Sequence, residues 1–249
     1  MTTRLLALGD SAWTVEFGTS ISTELNAQVM AFANRIAQAR QDDPLFATVT
    51  DVVPTFRSLT VHFSAQTTDA DALATQLLAL AQDNQQQAIV GKHWRLPACF
   101  DSSFAPDLFA WAQAKHMRED QLIQRMLDTP FRVYMIGFLP GFPYMGGLPP
   151  DLALPRLTSP RQRVPANSIA IAGEMCAVYP WESPGGWNLI GKTPVQLFDP
   201  RQIEQPAMLA AGDIVSWYAI GTAEYEHLLS QCSNGELPRE AFLSAGEAQ

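Results

Sequence analysis

The chain has 249 residues, 47% of them apolar and 16% charged, with a formal net charge of −9 and a pI near 4.8. That is enough apolar material for one large core or two ordinary ones, and it excludes intrinsic disorder, which needs low hydrophobicity. A surface this acidic repels phosphate backbones and anionic lipids, which argues against nucleic-acid and membrane-surface binding.

Residues 4–9 and 12–17 predict two short strands around Gly9-Asp10, with Trp13, Val15 and Phe17 alternating in the second. Ser22-Thr23-Glu24 opens a helix that carries Leu25, Val29, Phe32 and Ile36 on one face. Residues 47–53 and 58–63 predict two more strands around a turn at Pro54, with Leu59, Val61 and Phe63 alternating. A second amphipathic helix is expected over 69–82, presenting Leu73, Leu77 and Leu80. The order ββαββα implies an α+β unit, a small sheet covered on one side by two helices.

Residues 83–87, Asp-Asn-Gln-Gln-Gln, read as a linker or frayed helix end. A strand is expected at 93–100 and short helices at 107–114 and 119–127. From Phe131 the pattern changes to short strands between Gly/Pro turns, at 132–138, 168–172, 176–179, 194–198 and 214–218. That texture predicts a β-barrel or sandwich. The tail 222–249 is polar, with one helix expected at 223–231. Residues 137–194 hold eight of the 15 glycines and ten of the 18 prolines, which excludes long helices there.

The three cysteines (Cys99, Cys176, Cys232) are far apart with no CxxC, the usage of a reducing compartment. The stretch MTTRLLALGDSAWTVEF meets Asp10 before an apolar region develops, so no signal peptide is expected. No apolar run approaches the ~18 residues of a membrane span. A cytoplasmic protein is the expectation.

Gly186 to Thr193 formally satisfies GxxxxGK[ST], the phosphate-cradling loop. That chemistry needs a strand before the glycines and a helix after the lysine. Here Ser183-Pro184-Gly185 reads as a turn, and Pro194 followed by a β-like run stands where the helix would start, so the match is set aside. The four histidines (His62, His93, His116, His227) are scattered in polar surroundings and predict no metal site. No GxSxG is present, and Cys176 in the apolar run MCAVY reads as a buried, inert thiol.

A sharper signal is the crowding of Arg156, Arg161 and Arg163 among rigid turns and the aromatics Phe142, Tyr144, Tyr179 and Trp187. Guanidinium groups suit bidentate recognition of carboxylate or phosphate, so this cluster predicts a pocket for a small anion. Surface arginines pairing with an acidic exterior would produce the same spacing, and both readings stand at this point.

The segments GFLPGFPYMGGLP, LPRLTSPRQRVPANSIAIAG and VYPWESPGGWNLIGKTP closely resemble the signature of the allophanate hydrolase subunit 1 family. Its members include the B-type subunits of 5-oxoprolinase, the nearest likeness, and the sporulation kinase inhibitor KipI. LLALGDSAWTVEFG and VTDVVPTFRSLTVHF extend the likeness over about residues 3–220. The resemblance implies an α+β protein, an N-terminal α/β sandwich over 1–90 followed by a cyclophilin-like β-barrel over 91–221, with 222–249 as a helical tail. It implies a subunit of an ATP-dependent complex that opens 5-oxoproline to glutamate. Its partners would be a related larger subunit, of the C-type or allophanate hydrolase subunit 2 kind, and a third, lactam-opening subunit. Two alternatives follow from the same family: a carboxyltransferase-type subunit of a urea or allophanate system using biotin, and a KipI-like histidine kinase inhibitor.

On this reading Arg156, Arg161, Asn188 and Thr193 are the expected catalytic residues, binding the anion and orienting the substrate. Phe142, Tyr144, Arg163, Gly185, Gly186, Trp187 and Lys192 are expected to form the substrate-binding wall. The chain departs from the family where Met126 replaces a usual histidine, where Gly173-Glu-Met175-Cys176-Ala177 replaces Gly-x-Gln-Thr-Gly, and at Asn167, Asn188 and Lys192.

Overall fold

The computed structural model describes residues 3–66, 68–82 and 91–244, and the expected linker at 83–87 lies outside them. The chain divides into two units, Met1–Val90 and Gly91–Gln249. No helix among the described residues is long and apolar enough to cross a membrane.

In the first unit, β1 (Arg4–Ala7) and β2 (Ala12–Glu16) precede α1 (Thr23–Asp42). Then come β3 (Val49–Pro54), β4 (Ser58–Phe63) and α2 (Ala70–Gln82). The strands form one antiparallel sheet in the order β1-β2-β4-β3. Alternation buries Leu59, Val61 and Phe63 of β4 against Leu25, Val29, Phe32 and Ile36 of α1 and Leu73 and Leu77 of α2. Each such side chain removed from water contributes about 1.5–3 kcal/mol. Ser22 caps α1, its Oγ accepting from the Leu25 N–H at 3.2 Å. The strand expected from residue 47 starts at Val49, because Phe46–Thr48 first make a 3-10 turn. Glu16, nearly buried, accepts from both Arg4 and Arg57.

The second unit opens with β5 (His93–Ala98), α3 (Leu108–Lys115) and α4 (Glu119–Leu127). The strands β6 (Phe131–Ile136), β7 (Pro143–Gly146), β8 (Arg161–Val164), β9 (Ser168–Ala172) and β10 (Met175–Tyr179) follow. After them come β11 (Ser183–Gly185), β12 (Asn188–Lys192), β13 (Ile214–Ala219) and α5 (Thr222–Asn234). Seven strands form a mixed sheet, β12-β9-β10-β7-β6-β13-β5, and β8 pairs with β11 beside it. The sheet curls into a half-barrel, because the main chain just after one edge strand meets the other edge. Cys99 N–H donates to Lys192 O at 2.8 Å, and Lys192 N–H donates to Cys99 O at 2.9 Å. Closing a sheet in this way removes the exposed edges on which strands aggregate.

Strands β9 and β10 are buried on both faces, and their alternation divides two clusters. Ile169, Ile171, Cys176 and Val178 point into the main core with Trp94, Trp111, Met126 and Phe131. Ala170, Ala172, Ala177 and Tyr179 point the other way. The small alanines leave room on that face for Phe142 and Trp187.

Three expectations are corrected here. Residues 194–198 are not a strand: Pro194 has no N–H for a ladder, Thr193 Oγ1 instead accepts from the Val195 N–H at 3.3 Å, and only Phe198 bridges to Ala207. Residues 183–185, read as a turn, form β11, which pairs with β8 across a bulge. The strand expected over 132–138 ends at Ile136. Phe138 (φ 67°) and Gly141 (φ 76°) turn the chain there, closed by Gly137 N–H donating to Phe142 O at 3.1 Å.

Candidate functional site

The outer face of β9 and β10 carries an aromatic cluster. Phe142 stands edge-on to Tyr179 (5.0 Å between centroids) and to Trp187 (6.2 Å), and Tyr144 is 4.9 Å from Phe142 and 5.9 Å from Trp187. Edge-to-face pairs at such separations set the electropositive ring edge against the electron-rich face. Phe138, 61% exposed, leans on Phe142 at 5.4 Å. The Arg156 guanidinium lies over the Trp187 ring, 5.7 Å from its centroid, a cation–π arrangement.

One glycine lets the walls meet. A Cβ on Gly185 would collide with the Tyr179 hydroxyl, whereas one on Gly186 would touch only Pro160 at 3.5 Å and Leu157 O at 3.7 Å. The Trp187 backbone N–H bonds to the Tyr179 oxygen, which ties the β11–β12 turn to β10. Burial pushes the phenols of Tyr144 and Tyr179 above the ordinary tyrosine value, with nearby Arg156 pulling both back down. Both are therefore neutral at pH 7 and offer hydroxyls rather than phenolates.

The expected site residues do not all gather here. Phe142, Tyr144, Arg156, Gly185, Gly186 and Trp187 form the cluster and its rim. Arg161 borders it, paired in register with Gly185 and bonded through Nη2 to Asp107 Oδ1 at 2.7 Å. Arg163 is 83% exposed and stands 3.7 Å from Glu182, the surface pair that the spacing also allowed. Asn188 is buried, and its Nδ2 donates to Pro155 O at 2.9 Å and to Ile171 O at 3.2 Å, so both amide hydrogens are engaged by the main chain.

Lys192 and Thr193 sit at the other end of β12. At ~3.3 Å per residue Lys192 lies roughly 16 Å along the strand from Trp187. Its Nζ stands over the rings of Phe104 (5.5 Å) and Tyr225 (6.0 Å), and burial lowers its pKa. Thr193 is fully buried. The GxxxxGKT segment thus ends in an antiparallel strand, with no helix after the lysine, and makes no phosphate cradle. Met126 is buried in the main core, on the opposite side of the sheet from the aromatic cluster, and Met175 packs against that cluster. Burial pushes the Cys176 thiol well up, consistent with an inert side chain. Among the described residues no group of three or more His, Cys, Asp or Glu could hold a metal ion.

Asp107 is not among the residues that the sequence marks for the site. The sequence places it at the start of a short helix; in the structure it stands at the N-cap of α3, but its side chain makes no capping bond. Its Oδ2 accepts from the Leu189 N–H at 2.7 Å while Oδ1 holds Arg161. No local signal carries that role, because both partners are remote in sequence. Taken together, the arrangement is a buried cluster of edge-on aromatic rings with one cation over Trp187 and a second pinned at its border. The two guanidiniums at the rim have the chemistry that pairs with a carboxylate.

Residues 3–209 match the family described as carboxyltransferase domain, subdomain C and D. The chain is 35% identical to the B-type subunit of 5-oxoprolinase from Bacillus subtilis, over 91% of this chain and 96% of that protein. It is also 35% identical to the B-type subunit of 5-oxoprolinase from Haemophilus influenzae, over 87% of this chain and 98% of that one. The crystal structure of TTHA0988 superposes with a TM-score of 0.72 at 32% identity; the match covers 84% of this chain, which spans 40% of that one. The Kluyveromyces lactis urea carboxylase superposes with a TM-score of 0.78 at 19% identity, over 94% of this chain and 23% of that protein, a likeness of fold alone.

Proposed function

The chain belongs to the carboxyltransferase domain, subdomain C and D, family, and on that premise we propose that it is the B-type subunit of an ATP-dependent 5-oxoprolinase complex, which opens 5-oxoproline to glutamate. The observation that carries this reading is its end-to-end similarity to proteins named as B-type subunits of 5-oxoprolinase. The urea carboxylase reading, with biotin, has weaker support, since that likeness is of fold and covers a small part of a much longer protein. In this reading the curled sheet of the second unit is a cyclophilin-like barrel, which implies no prolyl isomerase activity.

The substrate is a five-membered lactam bearing a carboxylate. Its carboxylate pairs with Arg156 and Arg161 at the rim of the cluster, with the half-buried Tyr144 beside it, a placement that orients the amide for attack. Asn188 supports this wall from beneath by holding the 155 and 171 main chains together. ATP supplies the driving force for opening an unreactive amide. The one phosphate-loop match in this chain does not fit it, so no step of ATP chemistry is assigned to these residues. A related larger subunit and a third subunit complete the complex in the cytoplasm.

The test is co-expression of the chain with its two partner subunits and assay of 5-oxoproline-dependent ATP hydrolysis with glutamate formation. Activity that requires all three chains supports the reading. An intact but inactive complex overturns it, and capture of a histidine kinase in place of the partners would favour the regulator.

A further inference from the structure

Asp107 joins three segments that are distant in sequence. Its Oδ1 accepts from Arg161 Nη2 (2.7 Å) and its Oδ2 from the Leu189 N–H (2.7 Å), while its own N–H donates to Leu189 O (3.0 Å). The carboxylate is 14% exposed and the Arg161 side chain 29%, so the pair is largely withdrawn from water. Two fixed bonds on β12 anchor the acid, and the acid in turn anchors the guanidinium on β8.

The guanidinium is left incomplete. Arg161 Nη1 is buried and has no hydrogen-bond partner. A buried charged donor without an acceptor is costly and calls for an explanation. Arg161 is in register with Gly185, the residue beneath the Tyr179 hydroxyl, and its charge acts on Tyr179. The Arg161 charge therefore acts in the neighbourhood of the aromatic cluster.

We propose that Asp107 is a positioning residue: it locks Arg161 in one orientation, so that the partly exposed guanidinium is already ordered when an oxygen of the substrate carboxylate binds it. The proposal rests on the assignment of the Arg156–Trp187 cluster as the substrate site. A freely rotating arginine would lose side-chain entropy on each binding event, and the Asp107 bond removes that cost beforehand.

The experiment compares Asp107→Asn, Asp107→Glu, Arg161→Gln and the double variant Asp107→Asn/Arg161→Gln in the assembled complex. Asparagine keeps an acceptor for the Leu189 N–H but loses the charge that holds the guanidinium. Asp107→Asn is expected to raise the KM for 5-oxoproline about tenfold with a smaller change in kcat. Asp107→Glu should recover part of that loss, and the double variant should be no worse than Arg161→Gln alone. Losses that multiply in the double variant, or a lowered Tm with KM unchanged, overturn the proposal.

A second readout does not depend on the reaction. Rotation of the Arg161 guanidinium about its Cζ–Nε bond, followed by NMR in the isotope-labelled full chain, is expected to be slow in the native protein and faster in Asp107→Asn. Equal rates overturn the proposal even if the complex is active. Slow native rotation in a complex without 5-oxoproline activity would leave Asp107 as the anchor of Arg161 and overturn the substrate assignment instead.

Discussion

The Tyr179 hydroxyl occupies the space that a Cβ on Gly185 would need, and the Trp187 N–H bonds to that same hydroxyl oxygen. Glycine at 185 is therefore required by close approach rather than by backbone conformation, and Tyr179, Gly185 and Trp187 form one joint.

Gly185→Ala should open this joint. Overpacking of this kind costs about 1–3 kcal/mol, or roughly 2–4 °C of Tm per kcal/mol for a chain of this size. Displacement of Trp187 should also weaken 5-oxoproline binding. Gly186→Ala, which meets only ordinary contacts, should be near neutral. Thermal melts and KM measurements on the two variants, side by side, check the difference.

The three arginines should separate by placement. Arg161→Ala removes a charged donor beside the cluster and should lower kcat/KM of the complex by about ten- to a hundredfold. Arg156→Ala removes the cation over Trp187 and should act mainly through KM. Arg163→Ala, at a solvated position facing Glu182, should stay within about twofold. Native rates in Arg161→Ala would remove that residue from the site.

Asn188→Ala should be a stability variant first. It leaves the Pro155 and Ile171 carbonyls without their side-chain donor in a buried setting, a loss of about 1–3 kcal/mol. Chemical denaturation should show the loss in the isolated chain, with no partner or substrate present.

Glu16 predicts the acid response of the first unit. The Arg4 guanidinium, and after it that of Arg57, holds the Glu16 carboxyl below its ordinary value of 4.5. The unfolded chain then binds the proton more readily than the folded one, so this contribution is present above pH 4.5. It is lost as pH falls through the lower folded value. Glu16→Gln should remove that part of the pH dependence, measured as unfolding midpoints between about pH 3 and 6; an unchanged acid slope would argue against the assignment.

Thiol labelling should follow burial. Cys99 and Cys176 are buried, while Cys232 is partly exposed. A thiol reagent should modify Cys232 first in the native chain and reach all three cysteines only in denaturant. Fast native labelling of Cys176 would contradict its placement in the core.

Local periodicity was enough to predict the first unit. The 3.6-residue spacing of Leu25, Val29, Phe32 and Ile36 and the alternation of Leu59, Val61 and Phe63 each describe one face of one element, and burial follows directly. The Gly/Pro crowding between residues 137 and 194 likewise excluded long helices and pointed to the turns that carry Phe142 and Trp187. What the sequence could not supply was register. Asp107 meets Arg161 across 54 residues and Leu189 across 82, so no local pattern records those contacts. The same limit split the expected site: Trp187 and Lys192 are close in sequence, but an extended strand carries them roughly 16 Å apart. Sheet curvature and strand pairing alone decide which polar side chains face the aromatic cluster and which hold the main chain together.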